Sequence, residues 1–355
     1  MSKLPKDLPA RIGRSQTSSS AYNKVLVLEG ELQLSIENFI GTKDSKAKLT
    51  KDLCCCRILG YLFHYAPGAG DSAQGAVKEV VSACSNSDLL EIGLFYYNHF
   101  IRLFRANEGP ILQPANCESR PSFDTMADMI GDFLAPATQS HASAKRRALV
   151  RDGFRCVVTK AYDADVLKAN SELRGQVGNN VEAWKTQCCH IFDESINVGI
   201  DVDADKRAYA AAAWSITTRF GYSTIVDELA GQNIHRLENV MTMSTQIREL
   251  FDSLDLWFVA TDEEDTYKIE SIFGYIPEKY PQVHFTTTDP NLPVPSPRYL
   301  EIHAACARIA HLSGAAEYIE SVLRDYEEIT VLADDGSSAE VLAHLLQAIY
   351  VPVGV

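Results

Sequence analysis

His190 lies in the apolar hexapeptide Gln187 to Phe192 (QCCHIF), directly after Cys188 and Cys189. Imidazole is the side chain whose unperturbed pKa falls closest to neutrality, so His190 could serve as a general base. Cys189 beside it could act as a nucleophile once ionised, although two buried core thiols are the simpler reading. A histidine flanking an apolar strand is equally well a hydrogen-bonded core residue. Arg248 carries a planar fork able to hold a phosphate or carboxylate bidentately, while Glu249 and Asp252 offer it partners close by. His235 reads as a satisfied loop histidine, and His303 and His311 as packing residues on a terminal helix.

Other groupings carry less chemistry. Asp201, Asp203 and Asp205 alternate as in a calcium loop, but no glycine stands at the sixth position, so they read as surface acids and a helix cap. Lys145, Arg146 and Arg147 could meet a phosphate and read more simply as the solvated start of a helix. Cys54, Cys55 and Cys56 fall on a helical stretch, where neighbouring side chains diverge and cannot share one ion. Trp184, Trp214 and Trp257 are expected as core or pocket walls.

The elements that position these residues differ along the chain. From Lys24 to about Arg105 the pattern is helical, with Val25, Leu28, Leu32 and Leu34 on one stripe and a turn at Pro67-Gly68 followed by Ala69-Gly70. Ser87 is expected to cap a helix over Leu89 to Phe104, apolar on most sides and therefore buried. Residues 106–125 read as a linker. Phe154 to Thr159 (FRCVVT) and Gln187 to Phe192 read as strands, and Asp205 to Glu228 as a helix. Ser244 is expected to cap a helix in which Ile247, Leu250, Phe251 and Leu254 share a face. Pro281 to Pro297 is extended, and a final helix runs from Leu300 to Tyr326.

The 355 residues can bury a sizeable core, and the 46% apolar and 23% charged composition is that of a globular protein. The net charge of −14, from 47 acidic and 33 basic residues, disfavours a general nucleic-acid binder, which gains affinity by neutralising phosphates. Nine cysteines without regular spacing point to a reducing compartment. No apolar run reaches transmembrane length and no secretory segment is evident, so a cytoplasmic setting is expected. Met1 to Tyr22 is polar and reads as a disordered lead-in, with a weak transit peptide as the alternative.

Three stretches together resemble the HNH endonuclease-like domain common in fungal proteins: Ala148 to Thr159 (ALVRDGFRCVVT), Cys189 to Ser195 (CHIFDES), and Asn239 to Phe258 (NVMTMSTQIRELFDSLDLWF). The tail Ile302 to Asp325 is similar to the segment C-terminal to that domain in fungal members. The resemblance implies a β-hairpin and a helix that cradle one divalent cation. It places His190 on the general base and Asn239 on the residue that braces the hairpin. It also places Cys189 and Arg248 where active members have metal ligands. A guanidinium has no lone pair for a metal and would repel the cation. A replacement could come from Cys188, Asp193 or His235, although a thiolate suits magnesium poorly.

An α+β, predominantly helical fold is therefore expected, with a small ββα HNH-like unit at 148–262 packed with N- and C-terminal helices. Residues 1–22 form the lead-in, 23–147 a helical region, and 263–355 an extended segment with C-terminal helices. The function expected is a repurposed scaffold, without nuclease activity, that cyclises or isomerises a small apolar molecule, in the manner of a pericyclase of fungal secondary metabolism. His190, Asn239 and Arg248 would carry the catalytic roles, and Cys189, His235 and Trp257 would line the substrate, with no metal or other cofactor. The partner would be a small-molecule substrate, with nucleic acid disfavoured and no membrane span. Two alternatives stand beside it: a metal-dependent HNH endonuclease with substituted ligands, and a non-catalytic interaction module.

Overall fold

A twenty-two-residue helix, Gln16–Glu37, buries Ala21, Tyr22, Val25, Leu28 and Leu32, which recur every three or four positions along one stripe. Leu34, expected on the same stripe, is exposed, because two residues beyond Leu32 the helix has turned to its far side. The computed structural model describes residues 2–9, 12, 16–68, 72–104, 125–178, 180–197, 204–287 and 289–327. The linker expected at 106–125, residues Asp201 and Asp203, and Ala69-Gly70 lie outside them, Thr125 excepted. The chain divides into two units, one of residues 1–103, 197–226 and 305–355, the other of 104–196 and 227–304.

The first unit is helical among the described residues. Gln16–Glu37 packs on Lys43–Tyr65, and a buried ion pair joins them, Arg57 Nε to Glu29 Oε1 at 2.6 Å. Cys54, Cys55 and Cys56 are all buried, and burial pushes the Cys54 and Cys55 thiols up to about 12, which keeps them protonated core groups. The helix Asn86–Tyr96 starts at Ser85 rather than Ser87. Asp88 stands three residues after Ser85 and returns its carboxylate to the Ser85 N–H, completing a capping box that Ser87 has no spacing for. Gly93 lets this helix close on Lys43–Tyr65, since a Cβ there would meet the Cys55 carbonyl at 2.4 Å. The helix then widens into a π turn over Tyr97–Ile101 before Arg102–Phe104. Ala204–Arg219 ends short of the expected Glu228, because Gly221 takes φ 85° and turns the chain.

The second unit holds all the strands of the described residues, in three small sheets. β1 (Tyr162–Asp163) pairs in parallel with β2 (Ala183–Trp184). β3 (Thr186–His190) pairs antiparallel with β4 (Val240–Ser244), with His190 opposite Val240. β5 (Leu256–Ala260), β6 (Thr266–Ser271) and β7 (Gln282–His284) form an antiparallel meander. The helix Thr245–Asp252 follows β4 directly, so β3, β4 and this helix form a ββα unit. Ser244 occupies its N-cap position, but no side-chain capping bond forms there, and the hydroxyl instead meets Cys156 Sγ at 3.8 Å. The fold is thus α+β and predominantly helical.

The segment FRCVVT is not a strand. Phe154 and Lys160 have φ of 61° and 60°, and the chain doubles back so that the Cys156 N–H reaches the Ala161 carbonyl at 2.9 Å. Cys156, Val157 and Val158 are nevertheless buried, and the Val157 N–H donates to Thr242 of β4. Their apolar run reflects burial in a turn rather than an extended pleat. Likewise the expected helix over Leu300 to Tyr326 is two helices, Pro297–Ser313 and Ala315–Glu327, broken at Gly314 with φ 84°.

The helix His141–Arg151 is fixed to the hairpin by one buried cation. Arg151 donates to the carbonyls of Leu237, Val240 and Pro293 at 2.8–3.0 Å and to both oxygens of Asp152. Asp152 also accepts from the Thr242 N–H at 2.9 Å. Position and register of helix and hairpin are thereby set together.

Candidate functional site

β3 delivers His190 to the end of the hairpin, where it is buried. The 3-10 turn Gly231–His235 brings His235 to it, and His190 Nε2 shares a 3.0 Å hydrogen bond with His235 Nδ1. The first residue of the His141–Arg151 helix supplies a third imidazole. Its ring stacks on His190, with centroids 5.5 Å apart and planes at 27°, while His235 stands edge-on to both. Glu194, in the 3-10 turn Glu194–Asn197, lies with Oε2 3.6 Å from His235 Nε2.

Burial lowers the pKa of all three imidazoles, because a low-dielectric surrounding disfavours the charged form. His190 is shifted furthest, with the neighbouring His141, His235 and Arg248 adding to the effect of burial. Glu194 opposes the shift on His141 and His235. At neutral pH the rings are therefore unprotonated and each keeps a nitrogen lone pair. Two sets of potential ligands have donor atoms within 4.8 Å of one another: His190, Glu194 and His235, and His141, Cys188 and His190.

Asn239 is fully buried and faces the backbone. Its Oδ1 accepts from the Phe192 N–H, and its Nδ2 donates to the carbonyls of Phe192 and Ile234, all at 2.9 Å. Arg248 turns to Asp252 one helical turn on, Nε to Oδ2 at 2.9 Å, and to Gln187 Oε1 at 3.0 Å. Cys189 points at the same carboxylate, Sγ to Asp252 Oδ1 at 3.6 Å, and burial raises its pKa well above the ordinary thiol value. Trp257 lies in β5, where its indole N–H donates to Glu270 on β6 at 3.0 Å. The fold therefore gathers His190 and His235, sets Asn239 behind them, pairs Arg248 and Cys189 with Asp252, and puts Trp257 in another sheet.

Residues 156–259 match the HNH endonuclease family. These residues form an HNH-like domain. No curated protein and no solved structure matches the chain. The match spans His190, Glu194, His235, Asn239 and Arg248, and stops short of His141 upstream. His141 and Glu194 are the two members of the cluster that the sequence pattern does not single out. His141 stands close before three basic residues and reads as a helix start, and nothing local distinguishes it. Glu194 stands within the motif CHIFDES, four residues after His190, so its spacing is a usable signal.

Proposed function

We propose that the HNH-like domain is a metal-dependent phosphodiesterase centred on the imidazole group around His190. The observation that carries this reading is the meeting of His141, His190, His235 and Glu194 at the end of the β3–β4 hairpin. Phosphodiester hydrolysis needs a neutral base to take a proton from water and lone-pair donors to hold a cation. Three unprotonated imidazoles, His190 buried and His141 and His235 half-buried, offer enough nitrogens for both tasks. When bound, a divalent cation neutralises charge on the scissile phosphate and stabilises the leaving oxygen.

The positions that the resemblance gives to metal ligands do not fit a cation. Arg248 is itself a cation held by Asp252, and the Cys189 thiol is kept protonated by burial and turned to that same carboxylate. The imidazole group does fit, being neutral nitrogen donors with a carboxylate whose oxygen lies within 4.8 Å of those of His190 and His235. Arg248 and Lys145 set positive charge beside His141, and the carboxylates of Glu194 and Asp252 stand against it. The net charge of −14 suits a short phosphodiester contact rather than a long duplex footprint.

One cleft of about 380 Å³ is lined by residues that include Gln139, Arg147, Arg236 and Glu238, and another of about 460 Å³ by residues that include Arg155, Lys160 and Glu182. Each lining mixes polar with apolar residues, among them Leu237 and Pro293 in the first and Leu173, Val177 and Val181 in the second. No helix among the described residues is long and apolar enough to cross a membrane.

The test is hydrolysis of bis(p-nitrophenyl) phosphate and of supercoiled plasmid by the full-length protein with Zn²⁺, Mn²⁺ or Mg²⁺. The expected result is metal-dependent turnover of at least one substrate, abolished by chelation and by His190→Ala. Absence of turnover on both substrates with all three metals would overturn the reading.

A further inference from the structure

His190 falls, by resemblance, where the general base belongs, yet its Nε2 is directed at another imidazole nitrogen 3.0 Å away. Two nitrogens bound to one zinc at about 2.1 Å in tetrahedral geometry stand roughly 3.4 Å apart. The His190–His235 pair is thus already at the separation of two ligands on one ion. Glu194 completes a set whose donor atoms, one from each residue, all lie within 4.8 Å of one another. Its carboxylate now meets His235 at Nε2, the nitrogen opposite the one that faces His190, and its nearly half-exposed side chain can rotate towards Nδ1.

We infer that His190, His235 and Glu194 form a relocated metal centre of the two-histidine, one-carboxylate type, selective for a zinc-class ion over magnesium. The inference rests on the phosphodiesterase reading for its chemistry, but its ligands are argued from geometry alone. Imidazole nitrogen prefers borderline ions such as Zn²⁺, whereas magnesium demands oxygen ligands and retains its water. Three protein ligands leave a position open, as catalytic rather than structural zinc sites do.

The three ligands come from two separate stretches of chain, and Asn239 ties those stretches together. Through one side chain it holds both backbone groups of Phe192, midway between His190 and Glu194, and the carbonyl of Ile234, next to His235. The residue that braces the hairpin by resemblance therefore sets the spacing of the ligand-bearing loops. A metal centre can be preorganised in this way without any ligand from the Thr245–Asp252 helix, where Arg248 now stands.

Cobalt titration of the chelator-stripped, full-length protein, followed by Zn²⁺ displacement, tests this. One Co²⁺ per chain is expected, with visible bands of nitrogen and oxygen ligation and no thiolate charge-transfer band. Glu194→Gln and His235→Gln should each weaken binding at least about tenfold, while Cys188→Ser leaves it unchanged. Circular dichroism reports whether each variant folds, and Glu194→Gln, altered at a half-exposed side chain, decides if His235→Gln does not fold. The inference is overturned if no stoichiometric ion binds, or if the folded variants among Glu194→Gln and His235→Gln bind as tightly as the parent. It is also overturned if a thiolate band disappears in Cys188→Ser, which places the ion with His141 instead. Metal binding without hydrolysis would leave this centre standing and remove the phosphodiesterase reading, and hydrolysis without stoichiometric metal would do the reverse.

Discussion

Arg151 and the imidazole group are two buried polar assemblies served by the same helix, His141–Arg151, and they are built on opposite plans. Arg151 has five N–H donors, and five acceptors meet them: both oxygens of Asp152 and the carbonyls of Leu237, Val240 and Pro293. Nothing remains for a ligand to bind. The three imidazoles at the other end of the helix meet mainly one another, by a single shared hydrogen bond and by ring contacts. Burial keeps them neutral, so they retain lone pairs directed at neighbours that could share an ion. A saturated network fixes geometry, and an unsaturated one beside it is free for chemistry.

The largest expected effect comes from breaking the closed assembly. Arg151→Met should cost about 3–5 kcal/mol in chemical denaturation, because Asp152 is left buried without its cation and three carbonyls lose a donor. A loss below about 1 kcal/mol would mean that the network does not hold the helix to β4.

Asn239→Ala comes next, at roughly 2–3 kcal/mol, from three buried backbone groups losing their partner at once. If Asn239 also spaces the ligand loops, Co²⁺ affinity should fall in this variant even at temperatures where circular dichroism shows it fully folded.

Acid should act first on a buried histidine outside both assemblies. His303, stacked on Phe251 with ring centroids 3.7 Å apart, is lowered from 6.5 to about 3 by burial, and its Nδ1 has no hydrogen-bond partner. A histidine depressed in this way binds its proton only on unfolding. Stability is therefore full above pH 6.5 and is lost as pH falls from there towards 3. At pH 5 this one group accounts for a loss of about 2 kcal/mol. His303→Phe keeps the stacking and should remove about that much of the pH 7.5 to 5 difference, read from denaturation midpoints at the two pH values. His190 and His141 shift in the same direction, so part of the acid lability should persist in that variant.

The smallest effect is expected at Arg248. Its pair with Asp252 is an i,i+4 contact at the edge of the site, and Arg248→Gln should change stability by less than about 1 kcal/mol. A much larger loss would put Arg248 among the closed contacts and count against the division drawn between the two assemblies.

Some of this was legible in the residues alone. The helix around Leu89 to Phe104 and the strand that carries His190 follow from local spacing. The partnership of Arg248 with Asp252 was also available, since i and i+4 are neighbours on any helix. The turn at Phe154 to Thr159 was not legible, because a buried apolar run looks the same in a strand and in a knuckle closed by positive φ at Lys160. Nor was the convergence of His141 and His235 on His190. Those residues come from helix, turn and strand, 49 and 45 positions from His190, and only tertiary closure brings their rings together. The five acceptors around Arg151 were equally hidden, three of them being backbone carbonyls that carry no sequence signal.

The register that sets His190 opposite Val240 has a kinetic side as well. The two strands of the ββα hairpin are joined by residues 191–239, and part of that connection, 197–226, is counted with the helical unit. Within it, Phe220 packs against Phe100 and Tyr96, which lie far upstream of the HNH-like domain. Loop closure of that length slows pairing, so the site should be among the late structures to form. A fragment cut to 156–259 would carry Phe220 and its helix without the aromatic residues that cover them. The segment that matches the family thus leaves part of its own aromatic packing outside its bounds.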